Sequence, residues 1–272
     1  MADGKNAVPT DSAICPRCCR DALLGVRERP MRKGGHPMTD NILHVQNIHT
    51  YIGQFHILEG VNFSVQTSSI TAVLGRNGAG KTTTLRSIMG LSPIAEGAIH
   101  FEGQDISRRR SFTIAQMGIG YVPEHRAIFR DLTVQENLQI AERKKNDFAT
   151  RADLIFDLFP DLKRLFRMSG GSLSGGQQQM LAVARALVPD NRLLLIDEPS
   201  EGLAPVIIEA MMRAIEQLSA QTTVVLVEQN FRMASQLAGD YVIIEEGKSV
   251  AAGKMADLAA DDALIHRYLG AA

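Results

Sequence analysis

The feature that most constrains this chain is the run Gly75-Arg76-Asn77-Gly78-Ala79-Gly80-Lys81-Thr82, which matches the spacing G-x-x-x-x-G-K-[ST]. Gly78 and Gly80 let the backbone wrap around a phosphate chain with its N–H groups turned inward. The dipole of a following helix adds positive potential at the same place. Lys81 can then reach the β- and γ-phosphates, and the Thr82 hydroxyl can ligate Mg²⁺. The flanks suit this reading. Ile70–Leu74 is a continuous apolar run, as expected of a strand buried on both faces. After the motif, Leu85, Ile88 and Met89 form one helical face that Gly90 should end. Chance yields such a motif in about one chain of this size in a hundred, and chance does not supply the strand and helix around it.

Leu43 and Val45, then Val61, Phe63 and Val65, and later Ile99 and Phe101 alternate with polar residues, the pattern of half-buried antiparallel strands. From Arg126 to Leu187 the spacing turns helical, with Leu154/Leu158 and Met180/Val183/Ala184/Leu187 three and four apart. Buried strands return at Leu193–Ile196 and Thr223–Val227, and Glu246-Gly247-Lys248 reads as a hairpin turn between Tyr241–Glu245 and Ser249–Ala251. No internal repeat is visible. A chain of 272 residues can bury a large core. Its 29 basic and 30 acidic residues nearly cancel, which gives no support to a nucleic-acid partner. No apolar run approaches a bilayer span, and Met1–Asn6 shows no signal peptide. A cytosolic globular protein is expected, with a membrane partner left open.

All three cysteines fall in Cys15-Pro16-Arg17-Cys18-Cys19, so disulfides cannot hold the main fold. Residues 1–40 lack hydrophobic periodicity and read as a disordered extension. A metal knuckle using His36 is the alternative, and Met38 is a second candidate start.

Two further motifs carry chemistry. Arg192–Glu198 is a buried strand ending in two acids. Beside a phosphate loop, Asp197 would lie across the sheet from Thr82 and complete the Mg²⁺ shell. Glu198 would polarise the attacking water as general base. Leu173-Ser174-Gly175-Gly176-Gln177 precedes a helix that Ser174 can cap. The same hydroxyl, glycine N–H groups and helix dipole make a second phosphate site. Two such sites on one chain make sense if each nucleotide is clamped between two subunits.

With these motifs in this order, the chain resembles the ATP-binding subunits of ABC transporters over about Asn41 to Gly270. It is most similar to the branched-chain amino acid uptake ATPases of the LivF type. That likeness rests on Gly120-Tyr121-Val122-Pro123-Glu124, Ser200-Glu201-Gly202-Leu203-Ala204-Pro205, Val227-Glu228-Gln229-Asn230 and Tyr268-Leu269-Gly270. The resemblance implies an α/β fold, a P-loop NTPase core with an antiparallel β flank and an inserted α-helical subdomain (the ABC ATPase fold). Domain 41–272 would divide into a core at 41–123 and 190–272 and a helical subdomain at 124–189.

For the site, the resemblance implies catalytic roles for Glu198, Lys81 and Gln229. It implies nucleotide contacts from Gly75, Arg76, Asn77, Gly78, Ala79, Gly80, Lys81, Thr82 and Thr83. Thr82, Asp197 and Glu124 would hold Mg²⁺, and Ser174, Gly175, Gly176 and Gln177 would reach the nucleotide of a second subunit. Tyr51 fits the aromatic position that stacks on adenine, or else it packs at a strand end. ATP is the implied substrate. The implied partners are a second ATP-binding subunit, either an identical copy or a related chain, integral membrane permeases met near Glu124–Arg130 and, indirectly, an extracytoplasmic solute-binding protein. The location would be the inner face of the cell membrane, and the role import of branched-chain amino acids or related small amides.

Three departures from the general ABC pattern stand out: Glu124 for a glutamine, Gln229 for a histidine and Ala204 for an aspartate. LivF-like proteins share them. Gln229 can donate a hydrogen bond but cannot take up a proton near neutrality, so hydrolysis should show no inflection at a histidine pKa. A lipopolysaccharide-export ATPase is the competing transport reading, though that group keeps the glutamine and histidine. A nucleotide-dependent regulator is the competing non-enzyme. A chromosome-maintenance ATPase would need a long heptad insertion, and a translation factor would need two cassettes. Met211 and Met212 read as core fillers. Arg108-Arg109-Arg110 reads as a solvated loop, with phospholipid or partner contact as its alternative. His44, His49, His56, His100, His125 and His266 are scattered and suggest no metal cluster.

Overall fold

The computed structural model describes residues 41–270. The cysteines and His36, and with them the extension and metal-knuckle readings, lie outside the described residues. Along the chain run β1 (Asn41–Ile52), β2 (Phe55–Gln66), β3 (Ile70–Leu74), α1 (Lys81–Ile88), β4 (Ile94–Phe101), β5 (Gln104–Asp105), α2 (Ser111–Gln116) and β6 (Ile119–Val122). Then come α3 (Val134–Gln139), α4 (Asp147–Leu158), α5 (Pro160–Arg164) and α6 (Gly175–Leu187). The last part holds β7 (Leu193–Asp197), α7 (Pro205–Ser219), β8 (Thr223–Val227), α8 (Phe231–Leu237), β9 (Asp240–Glu245), β10 (Lys248–Lys254), α9 (Met255–Ala259) and α10 (Asp262–Leu269).

Two sheets form. The larger has the order β10-β9-β3-β8-β7-β6 and is parallel except at the β9–β10 edge. The smaller is antiparallel, in the order β2-β1-β4-β5. The apolar runs have a direct cause. Ala72 and Leu74, Leu194 and Ile196, and Val224 and Leu226 point into one core, shared with α6 and α7. Their neighbours Val73, Leu193, Leu195, Val225 and Val227 point into a second core, shared with the antiparallel sheet and α1. A strand buried on both faces cannot alternate. The antiparallel strands bury one face, so they do.

The chain between β6 and β7 carries α3 to α6, as the helical spacing predicts. Leu181, Val183, Ala184 and Leu187 on α6 join the core beneath the parallel sheet. Gly90 adopts φ +67° and ends α1, where the Leu91 N–H donates to the Arg86 carbonyl at 2.8 Å. The β9–β10 turn is the pair Glu246–Gly247, at φ +46° and +75°, the signature of a two-residue primed hairpin. Lys248 therefore belongs to β10 rather than to the turn. Met211 is fully buried, whereas Met212 is only partly so. Arg108, Arg109 and Arg110 are exposed.

Candidate functional site

The glycine motif links β3 to α1, so its loop leaves the C-terminal edge of a parallel sheet, where ligands of such folds bind. Gly80 has φ +108°, and a Cβ there would stand 2.8 Å from Leu58 Cδ2. A Cβ on Gly75, at φ +147°, would collide with the Ile244 carbonyl oxygen. The loop is thus clasped by β2 and by the β9–β10 hairpin. The Gly247 N–H donates to the Ala79 carbonyl at 2.9 Å, while the Gly247 carbonyl accepts from the Glu59 N–H at 2.8 Å. No acid sits in the first turn of α1 to compete for an anion.

Lys81 is 4% exposed. Its Nζ donates to the carbonyls of Gly75 at 3.0 Å and Arg76 at 3.2 Å, and pairs with Glu198 Oε1 at 3.1 Å. Gln229 Nε2 donates to Glu198 Oε2 at 2.9 Å. Glu198 follows β7 directly and holds φ +45°, a left-handed conformation costly for a side chain with a Cβ. Its N–H donates to the Val227 carbonyl at 2.9 Å, which fixes that turn against β8. Asp197 is fully buried; its Oδ1 accepts from Thr82 Oγ1 at 3.1 Å and its Oδ2 from the Tyr121 hydroxyl at 3.2 Å.

A cleft of about 390 Å³ joins these groups. It is lined by Asn77, Gly78, Gly80, Lys81, Thr82 and Thr83 of the phosphate loop and α1, by Glu124, Glu198, Glu201 and Gln229, and by Ile52 and Ile57 of the β1–β2 hairpin. Arg76 and Ala79 turn to a separate hollow beside Tyr268. Ser174, Gly175, Gly176 and Gln177 do not line the cleft of their own chain. They start α6, where Ser174 and Gln177 form a reciprocal capping box and Ser174 stays exposed.

Tyr51 takes up the strand-end packing given as its alternative. It faces His56 across the β1–β2 hairpin, with ring centroids 4.2 Å apart and planes 7° from parallel, and it does not line the cleft. Adjacent strand residues point to opposite faces, so the turn that sends Tyr51 outward sends Ile52 inward. Ile52, Ile57 and Tyr121 are site residues that sequence reasoning missed. The alternation Ile52–Phe55–Ile57 around a two-residue turn was the available signal. The histidines are also less scattered than the sequence indicates: His49 Nδ1 and His56 Nε2 meet at 3.1 Å.

Burial pushes the Asp197 carboxyl up to about 6, with Glu198 and Glu124 adding to the shift and the bonds from Thr82 and Tyr121 opposing it. Burial likewise raises the Tyr121 hydroxyl, helped by Asp197. Behind the site Glu228 is 1% exposed and is pushed up to about 7 by burial. It accepts bonds from the Ser200 N–H, the Ser200 hydroxyl and the Asn230 N–H at 3.1, 2.9 and 3.3 Å. A buried carboxylate touching a hydroxyl, with Glu124 and Glu198 close by, is a set of hard oxygen donors. That donor chemistry fits Mg²⁺.

The profile of the family described as "ABC transporter" matches residues 58–201. The chain is 40% identical to the high-affinity branched-chain amino acid transport ATP-binding protein BraG of Pseudomonas aeruginosa, over 84% of this chain and 100% of that protein. It is 37% identical to a probable branched-chain amino acid transport ATP-binding protein LivF of Archaeoglobus fulgidus, over 72% and 84%. The lipopolysaccharide export ATP-binding protein LptB of Escherichia coli K12 is 32% identical, over 79% and 91%. The crystal structure of a nucleotide-free ATP-binding cassette superposes with a TM-score of 0.73 at 25% identity, covering 83% of this chain and 97% of that one. A dimeric cassette bound to ADP and phosphate gives 0.70 at 24% identity, covering 78% and 98%.

Proposed function

Because this chain belongs to the ABC transporter ATP-binding family, we propose that it powers uptake of branched-chain amino acids or related small amides through membrane permeases. It is an ATPase subunit, and ATP is its substrate. The observation that carries the mechanism is the Lys81–Glu198–Gln229 chain of contacts at the mouth of the phosphate loop.

A triphosphate entering the loop competes with Glu198 for the Lys81 ammonium. Once Lys81 turns to the phosphates, Glu198 Oε1 is free to accept a proton from water while Gln229 keeps hold of Oε2. Water then attacks the γ-phosphorus, the bond to the β-phosphate oxygen breaks, and ADP and phosphate remain. Thr82, Asp197 and Glu124 are the residues that would hold Mg²⁺, which when bound supplies charge neutralisation at the phosphates. Ser174, Gly175, Gly176 and Gln177, which do not line their own cleft, would close over the nucleotide of a second subunit. An extracytoplasmic solute-binding protein would deliver the solute.

The Glu124–Arg130 segment would meet the permease. Glu124 lines the cleft, and the Arg126 guanidinium lies 3.1 Å from where a Cβ on Gly175 would stand. Movement at the permease would therefore reach both half-sites, coupling transport to nucleotide state.

Steady-state hydrolysis with and without the co-purified permease tests this reading. Glu198→Gln should lower kcat about 10²- to 10⁴-fold with ATP binding retained. Absence of turnover in the unaltered protein, permease included, favours a regulator. Permeases recovered with an amino-acid receptor support import; lipopolysaccharide-assembly components overturn it.

A further inference from the structure

Glu198 and Glu228 leave neighbouring parallel strands at the same level, because Asp197 and Val227 pair at the ends of β7 and β8. Glu198 lines the cleft, whereas Glu228 does not and is 1% exposed. Among the described residues no basic side chain pairs with Glu228. A buried acid without a counter-ion is costly to keep. This one binds two segments of chain at once. Its Oε1 accepts from the Ser200 N–H, and its Oε2 from the Ser200 hydroxyl and the Asn230 N–H. Ser200 lies two residues beyond Glu198, and Asn230 directly follows Gln229. Gln229 Nε2 in turn donates to Glu198 Oε2 at 2.9 Å. The result is a closed ring: backbone from Glu198 to Ser200, hydrogen bonds to Glu228, backbone to Gln229 and a side-chain bond back to Glu198.

We propose that Glu228 is a positioning residue for hydrolysis, which fixes the aim of Glu198 and Gln229 without touching the nucleotide. The inference rests on the ATPase reading and extends it to how the general base is held. Glu198 needs holding: its φ of +45° is a strained conformation that persists only where its surroundings over-determine it. The Glu198 N–H is pinned to the Val227 carbonyl on one side, and Glu228 pins Ser200 on the other. Pro199 between them has no N–H with which to add a bond. Without the Glu228 carboxylate the turn can relax and carry Glu198 out of line. A displacement of about 1 Å in a reacting group costs about 10²-fold in rate. The phosphate loop, held by the β9–β10 hairpin, keeps its shape.

Single-turnover ATP hydrolysis and calorimetric titration with ADP test the proposal on the full chain, with the co-purified permease where the parent needs it. Glu228→Ala should lower the rate constant about 10- to 100-fold and weaken ADP binding by no more than about threefold. Glu228→Gln can keep an oxygen toward the Ser200 N–H and an NH₂ toward its hydroxyl, and should stay within about fivefold of the parent rate. In a Glu198→Gln background, Glu228→Ala should cost less than about twofold more, because the group it aims is already gone. Ser200→Ala deletes one bond and leaves the acid in place; it should lower the rate about three- to tenfold, with nothing further in that background, and it carries the test if Glu228→Ala does not fold. An unchanged rate, a parallel fall in rate and ADP affinity, losses that add in the Glu198→Gln background, or a Glu228→Gln rate as low as that of Glu228→Ala each overturn the positioning role and leave the ATPase reading standing. Absence of hydrolysis in the parent removes the ATPase reading itself.

Discussion

Glu228 shows what a single buried side chain adds. Its carboxyl is raised from 4.5 to about 7 by burial, against three donated bonds. A raised folded-state pKa means the native protein binds the proton more tightly than the unfolded chain does. Its stabilising contribution is complete below about 4.5 and is lost as pH rises through about 7. Glu228→Gln removes that loss but leaves one backbone N–H without its acceptor, a cost of about 1 kcal/mol. Urea unfolding at pH 4.5 and pH 8.5 should show the variant gaining on the parent by about 2–3 kcal/mol across the interval; a constant difference would contradict the assignment. Gln229 has no proton to exchange near neutrality, so the shape of the pH profile of hydrolysis should be the same in Gln229→Ala as in the parent, and an inflection near a histidine pKa that vanished in the variant would contradict this.

At the scale of elements, two helices carry the same cap and serve different ends. Thr133 and Glu136 box the start of α3, and Ser174 and Gln177 box the start of α6. Thr133→Ala and Ser174→Ala should each cost about 1 kcal/mol in unfolding experiments. ATPase activity should fall only in Ser174→Ala; equal loss in both would reduce the α6 cap to a structural role. The β9–β10 hairpin is the second case. Gly247, at φ +75°, bonds to Ala79 and Glu59 at once, and an added Cβ would strike the Ile57 carbonyl oxygen. Gly247→Ala should loosen the phosphate loop and weaken ADP binding at least tenfold, by roughly 1.4 kcal/mol or more. Calorimetry checks this, and an unchanged affinity would show the loop stands without its brace.

For the whole molecule, the separation of Ser174 from its own cleft makes the decisive prediction. Lys81→Ala and Ser174→Ala should each be inactive alone. If each site takes Lys81 from one subunit and Ser174 from the other, half the dimers in an equal mixture have one intact site, about a quarter of all sites. Mixing should restore about that share of the parent rate, read by phosphate release. No recovery would rule out a site shared between two copies of this chain.

Much of this protein follows from local chemistry. Glycine and Lys-Thr spacing, the two-face apolar strands, the acids closing Leu193–Asp197 and the caps of α3 and α6 are short-range facts, because strand and helix periodicity and capping act within a few residues. What the fold alone decided depends on long-range register. Tyr51 fits a stacking role by its type, but a two-residue turn puts it and Ile52 on opposite strand faces, and no residue count shows which of them lines the cleft. Tyr121 reaches Asp197, Gly247 braces Ala79, and Glu228 ties Ser200 to Asn230 only because β3, β8 and β7 lie side by side with β6 and β9 flanking them. Sequence set the chemistry available to the site; the pairing of distant strands chose which side chains face it.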